Sequence, residues 1–189
     1  MTFIISSIDL RHLIPVFCYP PLLKKIMNQT HVHLLITHLP IFGAILGALV
    51  LIQGLWSQSN TTLIAAYKVL IISAVGAGIA YATGEAAEET VEHLQGVSKS
   101  LIEEHADSAL ISLIALIIVG AISLIGIFVT FRSPHLKKSF ALITLFLSLA
   151  TFGIVARTGY LGGQIRHTEI GVNAPAPIDK SGTKNDDDQ

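Results

Sequence analysis

Four apolar stretches, each fenced by polar residues, decide what this chain can become: Leu34 to Trp56, Leu63 to Gly84, Ala109 to Phe131 and about Leu136 to Leu161. Each holds about 20 predominantly apolar residues, the length at which a helix crosses the hydrocarbon core of a bilayer. In lipid every backbone N–H and C=O must be satisfied within the protein, which leaves helices and closed barrels. The stretches are continuous rather than alternating, so they read as helices. Composition agrees. Hydrophobic residues make up 51% of the 189-residue chain and charged residues only 13%, against roughly 25% in an ordinary soluble domain, and mean hydropathy is +0.65. The near-neutral balance of 12 basic and 13 acidic residues excludes a nucleic-acid binder built on a basic surface. One cysteine, Cys18, excludes an internal disulfide and a cysteine-based zinc site.

The connections set the expected fold class: all-α, a transmembrane up-down-up-down four-helix bundle. Ser57 to Thr62 and Arg132 to Lys138 are short polar links, the second containing Pro134, and short links join antiparallel neighbours. Small residues spaced four apart (Gly43 and Gly47, Ala74 and Gly78, Gly159 and Gly163) suit close helix packing. The middle connection, 85–106, is charged yet helical in pattern. Glu85, Glu88, Glu89 and Glu92 share one helical face, a turn is expected around Gly96, and Ser100 to Glu103 has the spacing of a capping box opening the third helix. Helices two and three are therefore expected to extend into an extracytoplasmic helical hairpin. In the first helix, Pro40 removes the hydrogen bond to the Ile36 carbonyl and predicts a kink.

Orientation follows from the lysines and arginines of the short loops. The 132–138 link carries Arg132, Lys137 and Lys138, whereas the 85–106 hairpin carries only Lys99. The expectation is a multi-pass protein of a bacterial inner membrane, with the 132–138 end cytoplasmic and both termini outside. Lys68 can snorkel to the cytoplasmic interface. Residues 1–26 contain Asp9, Arg11, Pro15, Pro20, Pro21, Lys24 and Lys25, which break any apolar run, and they lack the features of a signal peptide. They read as a doubtful leader, with Met27 as the expected start. The membrane domain then covers 27–170, and 171–189 is expected to be a disordered polar tail.

This topology gathers His31, His33, His38, His93, His105 and His167 at the outer end, six of the eight histidines. His135 falls at the other end and His12 in the leader. Neutral imidazole ligates haem iron and most transition metals, and facing helices of a bundle can clamp such a group. For a b-type haem, His38 and His105 are the first pair to name, with His33 and His167 next, and Arg157 and Arg166 as cations for the propionates. On an ideal helix His33 and His38 lie about 140° apart, so both cannot face the bundle axis. A non-haem divalent metal is the rival, held by Glu85 or Glu89 with His31, His93 or the other histidines of this end. The Glu-x-x-His spacing of di-iron bundles is missing. A third reading is a non-catalytic membrane subunit docking a partner through its acidic hairpin. Nothing matches a P-loop, a dinucleotide fingerprint or a nucleophile elbow, so catalysis by this chain alone is not expected.

Several motifs occur in order: His31-Val-His-Leu-Leu-x-x-His38-Leu-Pro40, Thr83-Gly-Glu-Ala-Ala-Glu-Glu89, Gly96-Val-Ser98, Ile102-Glu-Glu-His105 and Gly162-Gly-Gln-Ile-Arg-His-Thr-Glu-Ile170. Together they resemble a family of small, uncharacterised bacterial four-helix integral membrane proteins, over about Met27 to Ile170. They are distantly similar to membrane domains found fused to cytochrome c modules. That resemblance implies respiratory electron transfer by association and assigns no catalytic residue; for the haem reading the expected partner is a periplasmic cytochrome or a quinone. Ala86-Ala87 and Thr168 stand where similar sequences often carry proline.

Overall fold

The computed structural model of the chain describes residues 29–92 and 97–166. They form five helices: α1 (Gln29–Ile36), α2 (His38–Ser57), α3 (Asn60–Val91), α4 (Lys99–Arg132) and α5 (Lys137–Arg166). Among the described residues there is no strand. α1 and α2 together, and each of α3, α4 and α5, are long and apolar enough to cross a membrane, giving the four candidate spans of a multi-pass membrane protein.

The break between α1 and α2 sits at Thr37, three residues before Pro40. Proline has no N–H to return to the Ile36 carbonyl, so the helical ladder is interrupted there. The backbone stays right-handed through Thr37, whose N–H still reaches the His33 carbonyl at 3.0 Å. At the far end of α2 the chain reverses through Gln58, in the left-handed region at φ 51°, and Ser59 caps α3 by accepting from the Thr62 N–H. The capping box expected at Ser100 does not form. α4 opens at Lys99 with Ser98 as its N-cap, which places Ser100 inside the first turn, and the Ser100 hydroxyl pairs with that of Ser98 at 2.8 Å.

Consecutive helices pack against each other, and α2 closes the ring on α5. The pairings run in opposite senses along neighbours. A methyl group placed on Gly43 would meet Ser73, on Gly47 Leu70 and on Gly54 Leu63; on Gly120 it would meet Ala74, and on Gly126 the Tyr67 ring. These glycines let backbones approach closely. Gly78 and Gly163, the second members of two small-residue pairs, have nothing within 4 Å, so those pairs are only half used.

Large apolar side chains such as Phe42, Leu124, Phe128 and Phe146 point outward, while the interior is lined by Ala44, Ala48, Ala66 and Ala77 with buried Ser73, Ser123, Thr144 and Ser148. That arrangement suits a lipid solvent, which supplies no hydrophobic drive between helices and leaves close packing of small residues to hold them. The hydroxyls of Ser123, Thr130 and Thr144 donate to the carbonyl four residues earlier, so burial leaves them satisfied. Tyr67 is the exception. Among the described residues its buried hydroxyl has no hydrogen-bond partner at good geometry. Lys137 reaches Asn60 Oδ1 at 2.8 Å and joins the two turns of that end.

Candidate functional site

At the opposite end, the start of α1, the last turns of α3, the start of α4 and the last turns of α5 come together. His33 projects from α1 onto α3, where its Nδ1 lies 2.8 Å from the Ala80 carbonyl. His105 projects from α4 onto α5, where its Nδ1 lies 3.1 Å from the Thr158 carbonyl. A carbonyl can only accept, so Nδ1 carries the proton in both rings and Nε2 keeps its lone pair. Among the described residues neither Nε2 has a hydrogen-bond partner. Both rings are half-buried.

Local sequence explains both seats. Each histidine uses a carbonyl whose helical partner, four residues on, is a glycine: Ala80 with Gly84, and Thr158 with Gly162. A methyl group on Gly84 would stand 3.6 Å from His33 Cε1, and one on Gly162 only 2.9 Å from His105 Cε1. The His105 edge therefore occupies space that a side chain at 162 would fill, whereas His33 lies at ordinary contact distance from Gly84. Polar neighbours differ between the two. Thr83 Oγ1 donates to the Ala80 carbonyl and lies 3.4 Å from His33 Nδ1. Around His105, the Thr158 hydroxyl pairs with those of Ser108 at 2.6 Å and Ser112 at 2.8 Å. Arg157 donates to Ser108 at 3.3 Å and forms a 2.6 Å ion pair with Glu104. α1 is held to α3 one turn further out by Thr30, which reaches the Ala86 carbonyl and the Thr90 hydroxyl.

Of the histidines named from the sequence, His33 and His105 are the two whose rings reach across to a neighbouring helix at this end. His38 is exposed, its Nδ1 3.1 Å from the Leu34 carbonyl of its own helix and its ring stacked on Phe42. His31 is exposed on α1, and Glu85 and Glu89 are exposed on α3. Among the described residues no three His, Cys, Asp or Glu side chains converge to hold a metal ion. Arg157 is engaged with Glu104 at the α4–α5 groove, and Arg166 is the last residue of α5. His93 and His167 lie outside the described residues. The glycine seats were missed by sequence reasoning. Their signal was spacing, since each stands four residues after the carbonyl its histidine uses.

Two imidazoles on different helices are thus anchored at Nδ1 by backbone carbonyls, and among the described residues each Nε2 is left without a hydrogen-bond partner. Metal-ligating histidines are typically held this way. The chain matches no protein-family model, no curated protein and no solved structure.

Proposed function

We propose that the protein is a membrane electron carrier that holds a b-type haem between His33 and His105. The observation that carries this reading is the pair of imidazoles whose Nδ1–H groups are both committed to neighbouring-helix carbonyls. Haem, when bound, supplies a one-electron couple set by its axial ligands and its surroundings. The chain's own residues do the rest. The Ala80 and Thr158 carbonyls fix tautomer and ring orientation, and the ring of helices shields the inner side from water.

In the same reading the helices run up-down-up-down, α3 and α4 project beyond the bilayer as a hairpin, and the 133–136 link faces the cytoplasm of a bacterial cell. Support for this comes from the opposed pairings of neighbouring helices and from Arg132, Lys137 and Lys138 at one end. Glu85, Glu88, Glu89, Glu92, Glu103, Glu104 and Asp107 crowd the other end. The haem would then lie near the outer face, within reach of a periplasmic cytochrome or a quinone. The test is the reduced-minus-oxidised spectrum of the detergent-purified protein expressed with ample haem. A Soret shift and the sharp reduced bands of two-histidine ligation are expected; a colourless protein refutes the reading.

A further inference from the structure

The two halves of the bundle can be laid on one another. Counting from His33 to His105, 72 positions, six of the seven buried residues of α2 fall on buried residues of α4, as Ala44 does on Leu116, Gly47 on Val119 and Leu51 on Ser123, while Gly43 falls on half-buried Ala115. Counting from Gly84 to Gly162, 78 positions, each buried residue of α5 falls on a buried residue of α3, as Ala141 does on Leu63, Leu145 on Tyr67 and Thr151 on Ser73. A shared helical period alone would allow several registers. The histidines select one. In this register His33 meets His105, Ala80 meets Thr158 and Gly84 meets Gly162, so the same triple of ring, carbonyl and glycine recurs in each half.

The packing below the histidines repeats too. One hydrophobic cluster holds Ile41 with its counterpart Leu113, Ala44 with Leu116, Ala74 with Phe152 and Ala77 with Val155. Small residues in the first half stand against larger ones in the second, which is how two similar units fill one interior at constant volume.

We infer that the chain is two copies of one helical hairpin, α1–α3 and α4–α5, related by a pseudo-two-fold axis along the bundle. Each hairpin carries one half-site, and the group the pair would hold is a haem, with His33 and His105 as its equivalent ligands from the two hairpins. This rests on the haem reading and deepens it. Held by two histidines, the haem would supply one-electron transfer rather than an open site for a gas or a substrate. Gly162 is then a positioning residue, acting through the ring it seats.

The experiment is a hemin titration of the full-length apo protein in detergent, with His33→Ala and His105→Ala beside it. The wild type takes one hemin in a six-coordinate, low-spin state. Each single variant gives a five-coordinate, high-spin spectrum with affinity about tenfold weaker or worse, and imidazole added to either restores the six-coordinate spectrum, which also shows that the fold is intact. A wild type that binds hemin while one variant keeps the wild-type spectrum overturns the equivalence of the half-sites and leaves the haem reading standing. A wild type that binds none overturns both.

Discussion

Adding one methyl group to Gly162 should unseat His105, whereas the same change at Gly84 should not disturb His33. At Gly162 the new Cβ would lie 2.9 Å from His105 Cε1 and 3.4 Å from Nδ1. The ring must slide, and a shift of a few tenths of an ångström stretches its 3.1 Å bond to the Thr158 carbonyl. Losing that bond costs about 1 kcal/mol, and crowding the packed helix pair costs about 1–3 kcal/mol more. Replacing a helical glycine by alanine returns about 0.5–1 kcal/mol. The net for Gly162→Ala is therefore a loss of about 2 kcal/mol, on the order of 5 °C in unfolding midpoint for a chain of this size. At Gly84 the contacts would be 3.6 Å and 3.9 Å, ordinary van der Waals distances, so only the helix term of about 0.5–1 kcal/mol in favour of Gly84→Ala remains. Thermal unfolding of the apo protein followed by far-ultraviolet circular dichroism in one detergent separates the two. If Gly162→Ala melts at or above Gly84→Ala, the seating argument is wrong. The same substitution tests the second-shell role, because misplacing a ligand through its support typically lowers affinity about 10- to 100-fold. Gly162→Ala should weaken hemin binding by that factor and Gly84→Ala should leave it near wild type.

Four further outcomes are expected. Nitrogen-15 NMR of histidine-labelled apo protein should find His33 and His105 both protonated at Nδ1, since each faces a carbonyl; protonation at Nε2 in either would contradict the geometry. Tyr67→Phe should keep or raise the unfolding midpoint, because it removes a buried hydroxyl without a partner, a group that costs about 1–3 kcal/mol when unsatisfied; a drop would show that something holds that hydroxyl. A double-mutant cycle on Glu104 and Arg157, side chains 52% and 56% exposed, should return a coupling of about 0.2–1 kcal/mol, and zero coupling would reduce the contact to coincidence. In a Cys18→Ser background, single cysteines at Gln58 and His135 should react with an impermeant thiol reagent only from the cytoplasmic side and one at Glu88 only from outside. The reverse pattern would invert the proposed orientation.

The spans were legible because hydropathy reports directly on the solvent. Leu124, Phe128 and Phe146 face outward with no penalty in lipid, so runs such as Ala109 to Phe131 read as helix without knowledge of the packing. Pro40 was legible as well, because a missing N–H has one structural consequence, the break at Thr37. The Ser100 cap failed for a reason of chemistry. Serine caps by offering its oxygen to a backbone N–H, and here a second serine two residues earlier takes the N-cap position and pairs with that hydroxyl. The small-residue pairs were ambiguous in the sequence, since glycine at four-residue spacing occurs on lipid-facing as well as buried faces, as Gly78 does.

Which histidine turns inward was the harder question, and its answer lay in residue size rather than polarity. In a soluble helix the apolar stripe marks the core; in this bundle both faces are apolar, and that contrast vanishes. What remains is volume. His33 stands seven and fourteen residues before Pro40 and Gly47, both buried, and its face continues through small side chains. His38 instead shares a face with Leu34 and Phe42, both exposed. His105 repeats the first pattern, seven before Ser112 and fifteen before Gly120, both buried. Side-chain volume along each helix thus points to His33 and His105 together, where histidine count and depth alone left His38 in front. It also hides the repeat: the halves agree in which positions are small or buried while few residues are identical. A hairpin can be copied in lipid and drift almost freely, provided the places where helices touch, and the two rings between them, are kept.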